Sequence, residues 1–90
     1  MTISFRERYD QCQKWSEKVM VMELFHLAMG QRIRPWTLSK TAEHFECSIG
    51  LVSENLRLAL AIHKNDAILQ CETRQDALRK LISGGRNGKL

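Results

Sequence analysis

Residues 36–62 read WTLSKTAEHFECSIGLVSENLRLALAI, and this stretch decides the fold that we expect for the chain. Apolar residues recur in it at helical spacing on both sides of a short polar break at 46–48. The first half predicts a helix over 38–45. Thr37 or Ser39 is its expected N-cap, because a hydroxyl at that position accepts a backbone N–H that the helix leaves unpaired.

The second half predicts a longer helix, which follows a turn made of Glu46, Cys47 and Ser48. Ser48 is its natural N-cap, and the helix runs from residue 49 to about residue 63. Six positions recur on one face, which we expect to be buried: Ile49, Val52, Leu56, Ala59, Leu60 and His63. A polar face lies about a quarter turn or more away and carries Gly50, Ser53, Glu54, Arg57 and Lys64.

These two helices and their turn resemble the helix-turn-helix of phage and bacterial DNA-binding proteins. They most resemble the DNA-binding part of ParB/KorB-type partition proteins and related phage regulators. The resemblance covers about a third of the chain and includes a small residue in the first helix, Ala42, and a branched apolar residue in the second, Val52. Glu46 departs from the pattern, because the family usually has Gly there and a left-handed backbone costs another residue roughly 1 kcal/mol.

The resemblance implies that the polar face of the second helix enters the major groove of DNA. Arg57 is the best candidate for reading a base, because a guanidinium group pairs bidentately with guanine O6 and N7. Asn55 can read adenine in the same way, or its amide can be buried against a neighbouring helix. Glu54 can accept a hydrogen bond from cytosine N4. The expected DNA-binding set, with hydroxyls and a lysine placed for phosphate contacts, is Thr37, Ser39, Lys40, Ser48, Gly50, Ser53, Glu54, Asn55, Arg57 and Lys64.

Composition and charge fit one small all-α domain. The chain has 90 residues, 43% of them hydrophobic and 27% charged, with one proline and five glycines. We expect a single helical domain over 1–83 and a flexible basic tail over 84–90. The formal net charge of +4 lies mostly on the helix-turn-helix and the C-terminal end, as phosphate binding requires. Many small proteins are equally basic without binding nucleic acid.

The N-terminal third predicts one long helix. Ser4 and Glu7 form a capping-box signature, and nothing breaks the helical pattern between residue 5 and Gly30. A short heptad pattern runs through Phe5, Cys12, Trp15, Val19, Met22, His26 and Met29. We therefore expect a homodimer that forms through this helix. The alternative is a core helix of a monomer.

The C-terminal third predicts two short helices. Asp66 is the expected cap of one that runs to residue 69 or 71, and Thr73 caps another over 74–83, which Gly84 and Gly85 end. These helices should cover Leu58 and Ile62, which belong to a second apolar row of the longer helix.

The linker before the motif contains Arg32, Arg34 and Pro35. The two arginines either reach the DNA backbone or are ordinary solvated side chains. Trp36 is expected to cover the core of the motif.

Several classes of protein are not indicated by the sequence. His44 and Cys47 are three residues apart, but no second ligand pair has zinc spacing. No phosphate loop or nucleophile elbow occurs. We expect no enzyme activity, metal, cofactor or small-molecule ligand. The three cysteines, the lack of a signal peptide and the lack of an apolar run of ~18 residues predict a cytoplasmic protein without a membrane segment.

The function expected from the sequence is sequence-specific binding of double-stranded DNA, as a small transcriptional regulator or a partition-type adaptor. Two alternatives stay open. One is a phage packaging or replication adaptor that binds DNA as a ring. The other is a helical protein–protein interaction module that never binds nucleic acid and docks through residues 19–29.

Overall fold

The computed structural model describes residues 4–87, and within them the chain is all-α, as the sequence predicts. The elements are α1 (Phe5–Gln11), α2 (Trp15–Arg32), α3 (Leu38–Phe45), α4 (Ile49–Lys64), a short 3-10 helix (Asp66–Gln70) and α5 (Arg74–Asn87). No helix in this part of the chain is both long and apolar enough to cross a membrane.

The core has two clusters, and helices α2 and α4 contribute to both. The first lies under the C-terminal elements and consists of Val19, Leu58, Ala59, Ile62, Ile68 and Ala77. The second lies under α3 and consists of Met22, Phe25, Ala42, Phe45 and Val52. The prediction that the C-terminal helices cover Leu58 and Ile62 is confirmed. Trp36 packs on the second cluster, as expected of a cover over the motif.

The prediction of one N-terminal helix from residue 5 to Gly30 is wrong. The capping box at Ser4 is present, but α1 ends at Gln11, and Cys12 has an extended backbone (φ −66°, ψ 136°). The break lets α1 fold back on α2, so that the ring of Phe5 lies 5.5 Å from that of Phe25. Helix α2 then continues through Gly30, because one glycine costs a helix only about 1 kcal/mol.

Part of the predicted heptad seam is packed within the chain itself. Val19 and Met22 are fully buried, and Trp15 donates its indole N–H to the Cys71 carbonyl at 2.8 Å. The homodimer that the sequence predicts through the N-terminal helix stays a prediction.

The buried face of α4 lies one helical position away from the predicted one. Ile49 and Leu60 are half exposed, whereas Leu58 is completely buried. The residues that α4 buries are Val52, Asn55, Leu58, Ala59 and Ile62. The buried face differs because α5 and the 3-10 helix cover the second apolar row, which contains Leu58 and Ile62.

Two details at the C-terminal end also differ from the prediction. Asn65, rather than Asp66, caps the 3-10 helix, since its Oδ1 accepts the Ala67 N–H at 3.1 Å. Helix α5 begins as predicted, with Thr73 Oγ1 accepting the Asp76 N–H, but it runs to Asn87 instead of ending before Gly84. Glycine weakens a helix without forbidding it, so the predicted flexible tail is helical up to residue 87. Residues 88–90 of that tail lie outside the described residues.

Candidate nucleic-acid interface

The turn between α3 and α4 has the geometry that the sequence predicts. Glu46 adopts the left-handed conformation, with φ 55° and ψ 50°. The Cys47 N–H donates to the Ala42 carbonyl at 3.0 Å, which closes the end of α3. Ser48 Oγ accepts the Leu51 N–H at 3.1 Å and caps α4. Local hydrogen bonds therefore define the turn and the start of α4.

The free energy of unfolding is expected to be about 1 kcal/mol higher for Glu46→Gly than for Glu46→Ala. Both substitutions remove the carboxylate that contacts Arg6, so this exposed contact cancels in the comparison. Only glycine relieves the left-handed backbone. Urea unfolding of both variants measures the difference, and equal stabilities would show that Glu46 is not strained.

A buried polar chain ties α3 and the linker to α2. Thr41 is fully buried, and its Oγ accepts the Trp36 indole N–H at 2.7 Å. The same Oγ forms a hydrogen bond with Nδ1 of His26 at 2.7 Å. Burial lowers the pKa of His26 and so favours the neutral ring. Every member of the chain is thus satisfied, and α3 is held in one position against α2.

The side of α4 that faces away from the core is uncovered. We call this side the outer face of α4, defined by Ile49, Gly50, Ser53, Arg57, Leu60 and Lys64. Ser53 is partly exposed and the other five are exposed. A side-chain carbon added at Gly50 would meet only Ser48 Oγ, at 3.9 Å, so the start of the helix has room for a ligand.

The outer face of α4 carries positive charge that pairs with no acidic side chain in the described part of the chain. Arg57 and Lys64 form no ion pair with the side chains that the structure describes. Glu54 is the neighbouring carboxylate, and Arg74 Nη2 donates to it at 2.8 Å. The α5 helix therefore removes much of the repulsion that Glu54 would exert on a phosphate.

Asn55 is not part of the outer face, so its prediction as a DNA contact is wrong. It is 1% exposed, and its Oδ1 accepts a hydrogen bond from Arg74 Nε at 2.8 Å. Its Nδ2 donates to the Met22 sulfur at 3.3 Å. The buried-amide alternative is the one that the structure confirms. An amide in the middle of a helix interface needs such partners, because an unpaired buried polar group costs about 1–3 kcal/mol.

Arg74 is a key residue that the sequence analysis missed. One guanidinium group joins a buried amide and an exposed carboxylate on successive residues of α4. The only signal in the sequence was that Asn55 lies between two apolar rows and therefore needs a donor from another helix. Nothing in the order of residues says which basic side chain arrives there.

Some residues predicted to contact phosphates cap helices, and others have exposed side chains. Thr37, not Ser39, is the cap of α3, because its hydroxyl accepts the Lys40 N–H at 3.3 Å. Ser39 is exposed. Lys40 is exposed as well, and its Nζ lies 5.6 Å from the centre of the Trp36 ring and 3.5 Å from the Pro35 carbonyl. Arg32, the last residue of α2, and Arg34, in the linker that follows, are both exposed.

The histidines and cysteines in the described part of the chain do not form a metal site. No group of three His, Cys, Asp or Glu side chains there could hold a metal ion. His44 stacks on Phe25 with the ring centres 4.1 Å apart. Burial raises the pKa of the Cys47 thiol and so favours its protonated form.

Comparison of the chain with protein-family models, with curated proteins and with solved structures finds no match. The relation to helix-turn-helix proteins therefore stays a resemblance carried by residues 38–62.

Proposed function

We propose that this chain binds double-stranded DNA sequence-specifically through the outer face of α4, and acts as a small transcriptional regulator or a partition-type adaptor. One observation carries the proposal. A helix packed against α2, α3 and α5 on one side leaves Gly50, Ser53, Arg57 and Lys64 free on the other.

The dimensions of α4 suit the major groove of B-DNA. It has 16 residues and is about 24 Å long at ~1.5 Å per residue. A helix with its side chains is about 10–12 Å wide, and the major groove is about 12 Å wide. Ser48, Gly50 and Ser53 are small residues at the start of α4, where recognition helices usually meet base edges. A close approach of the helix to the bases is therefore sterically possible.

The charges also support a phosphate partner. Arg57 and Lys64 lie on the outer face itself, and Lys40 lies at the start of α3. The partial positive charge at the start of a helix adds to these side chains. We expect Arg57 to read guanine and Lys40 to contact the backbone.

Arg57→Ala is expected to weaken binding to the preferred duplex by about 1–3 kcal/mol and to relax base preference at one position. Selection of bound sequences from a random duplex pool identifies the preferred site. Titration by fluorescence anisotropy then measures the affinity. A variant that binds every sequence as well as the wild type would refute the role of Arg57.

Two matched variants separate base reading from general attraction. Lys40→Ala should weaken all sequences alike, because phosphate contacts carry no sequence information. Arg8→Ala removes the same guanidinium group from α1, where it lies over the Phe5 ring, and should leave binding almost unchanged. Loss of binding in Arg8→Ala equal to that in Arg57→Ala would place the interface elsewhere.

A protein–protein interaction module remains the second candidate, and one observation favours it. Leu60 and Ile82 are more than half exposed and border a shallow groove of about 300 Å³ between α4 and α5, flanked by Arg57 and Lys64. Salt separates the two functions. Binding to a random duplex that involves several phosphates must fall steeply as salt rises. A chain that binds no duplex even at low salt is not a DNA-binding protein.

A further inference from the structure

The shallow groove between α4 and α5 has two adjoining parts, of about 300 Å³ and 280 Å³. Arg57, Leu81 and Ile82 line both parts, so the groove is continuous along the two helices. We call it the α4–α5 groove. Its chemistry, an apolar floor with a charged rim, indicates the kind of molecule that it can bind.

The floor of the α4–α5 groove is apolar and continuous with the core. Ala61, Leu78 and Leu81 line it and also pack against the first core cluster. Leu60 on α4 and Ile82 on α5 line the same part of the groove and are 54% and 57% exposed. Exposed apolar side chains on two neighbouring helices form a surface that suits the apolar side of a third helix.

The rim of the groove is positively charged. Arg57 and Lys64 line it on α4, and Arg79 lines it on α5. Glu54 is the one acidic side chain among the described lining residues, and it already accepts a hydrogen bond from a guanidinium group of α5 at 2.8 Å. Arg79 lies 3.8 Å from Asp76, but both side chains are exposed, and such a pair is weak. The rim therefore has a net positive charge.

This charge selects among the possible occupants. A two-fold dimer in which the groove faces itself would bring the same cations together, because such an interface uses one patch twice. Residues 84–90 contain Arg86 and Lys89 and no acidic residue, so they do not complement the rim either. A segment of another protein that has acidic residues on both sides of an apolar stripe complements the rim and the floor.

We propose that the α4–α5 groove binds an acidic amphipathic helix of a partner protein. The groove follows α4 over residues 54–64, which is about 15 Å or three turns at ~1.5 Å per residue. The apolar residues of the partner, at helical spacing, lie against Leu60 and Ile82. Its carboxylates pair with the guanidinium and ammonium groups of the rim.

The partner helix and DNA exclude each other. Arg57, Leu60 and Lys64 belong both to the α4–α5 groove and to the outer face of α4. The proposal thus gives the second candidate function a partner of defined chemistry, whereas the release of DNA by that partner rests on the proposed DNA binding.

Selection from a displayed library of random helical peptides, on the full chain at about 0.15 M salt, tests the proposal. The selected peptides should carry Asp and Glu on both sides of an apolar stripe. Leu60→Glu and Ile82→Glu should each weaken the best peptide at least about tenfold in fluorescence anisotropy, because each places a carboxylate in an apolar contact. Leu69→Glu makes the same change outside the groove, at a residue 45% exposed, and should leave the affinity unaltered. Far-UV circular dichroism checks that the variants fold.

A copy of the best peptide with Lys in place of each acidic residue should bind at least about tenfold more weakly, since it repels the rim. A selection that enriches no acidic amphipathic sequence overturns the proposal. So does a peptide whose affinity is the same for the wild type, Leu60→Glu and Ile82→Glu.

Competition with labelled duplex separates this proposal from DNA binding. The peptide should displace the duplex from the wild type. A chain that binds the peptide but no duplex retains the partner site and loses the proposed DNA binding, and a chain that binds duplex but no peptide does the reverse. Simultaneous binding of both would show that the two surfaces are not shared.

Discussion

Leu58→Ala is expected to lower the free energy of unfolding by about 2–5 kcal/mol, whereas Leu60→Ala should cost less than about 1 kcal/mol. Leu58 is fully buried in the cluster that joins α4 to the C-terminal elements, and Leu60 is 54% exposed. The two substitutions remove the same atoms from the same helix, so helix propensity cancels. Urea unfolding followed by circular dichroism gives both values, with the slope of each transition compared as a check on two-state behaviour.

The outcome decides the register of α4. The sequence pattern alone placed Leu60 on the buried face and Leu58 on a secondary row. If Leu60→Ala lost more unfolding free energy than Leu58→Ala, the face predicted from the sequence would be the buried one. Arg57 would then face α2 instead of solvent. The proposed DNA-binding surface therefore depends on this comparison as well as on binding measurements.

Asn55→Ala is expected to cost about 2–4 kcal/mol of stability, and Glu54→Ala less than about 1 kcal/mol. Arg74 donates to both residues at 2.8 Å. Asn55 is buried, so its loss takes a charge-assisted hydrogen bond from a place that water reaches poorly and leaves a small cavity. The carboxylate of Glu54 is half exposed, and water replaces much of what it provides. The same unfolding experiment measures both variants.

The two variants also separate folding from recognition. We expect Asn55→Ala to change stability without changing base preference, since its side chain is turned to Met22 and Arg74. An altered base preference in a variant that remains as stable as the wild type would return Asn55 to the DNA-binding set. Equal losses of stability for Asn55→Ala and Glu54→Ala would mean that burial does not distinguish them.

What the sequence by itself determined was the local structure of the motif. The left-handed backbone at Glu46 was expected from the resemblance to helix-turn-helix proteins. The bounds of α3 and the cap at Ser48 follow from hydrogen bonds between residues a few positions apart, whereas Thr37 and Ser39 were both candidate caps of α3. Such contacts form within one turn of chain, so a pattern of residue types is enough to predict them. The exposed polar side of α4 around Arg57 was also predicted correctly. Here the reason is helical periodicity, which sets the residues that share a face.

What only the tertiary structure decided was which surfaces meet. The break after Gln11 lets Phe5 reach Phe25, and the turn of α4 towards Leu58 depends on the arrival of α5. Arg74 finds Asn55 from 19 residues away along the chain. Contacts of this kind are chosen by the packing of whole helices against one another. The free energy of packing whole helices exceeds the differences in local helix propensity. The break after Gln11 and the buried face of α4 are therefore set by the core.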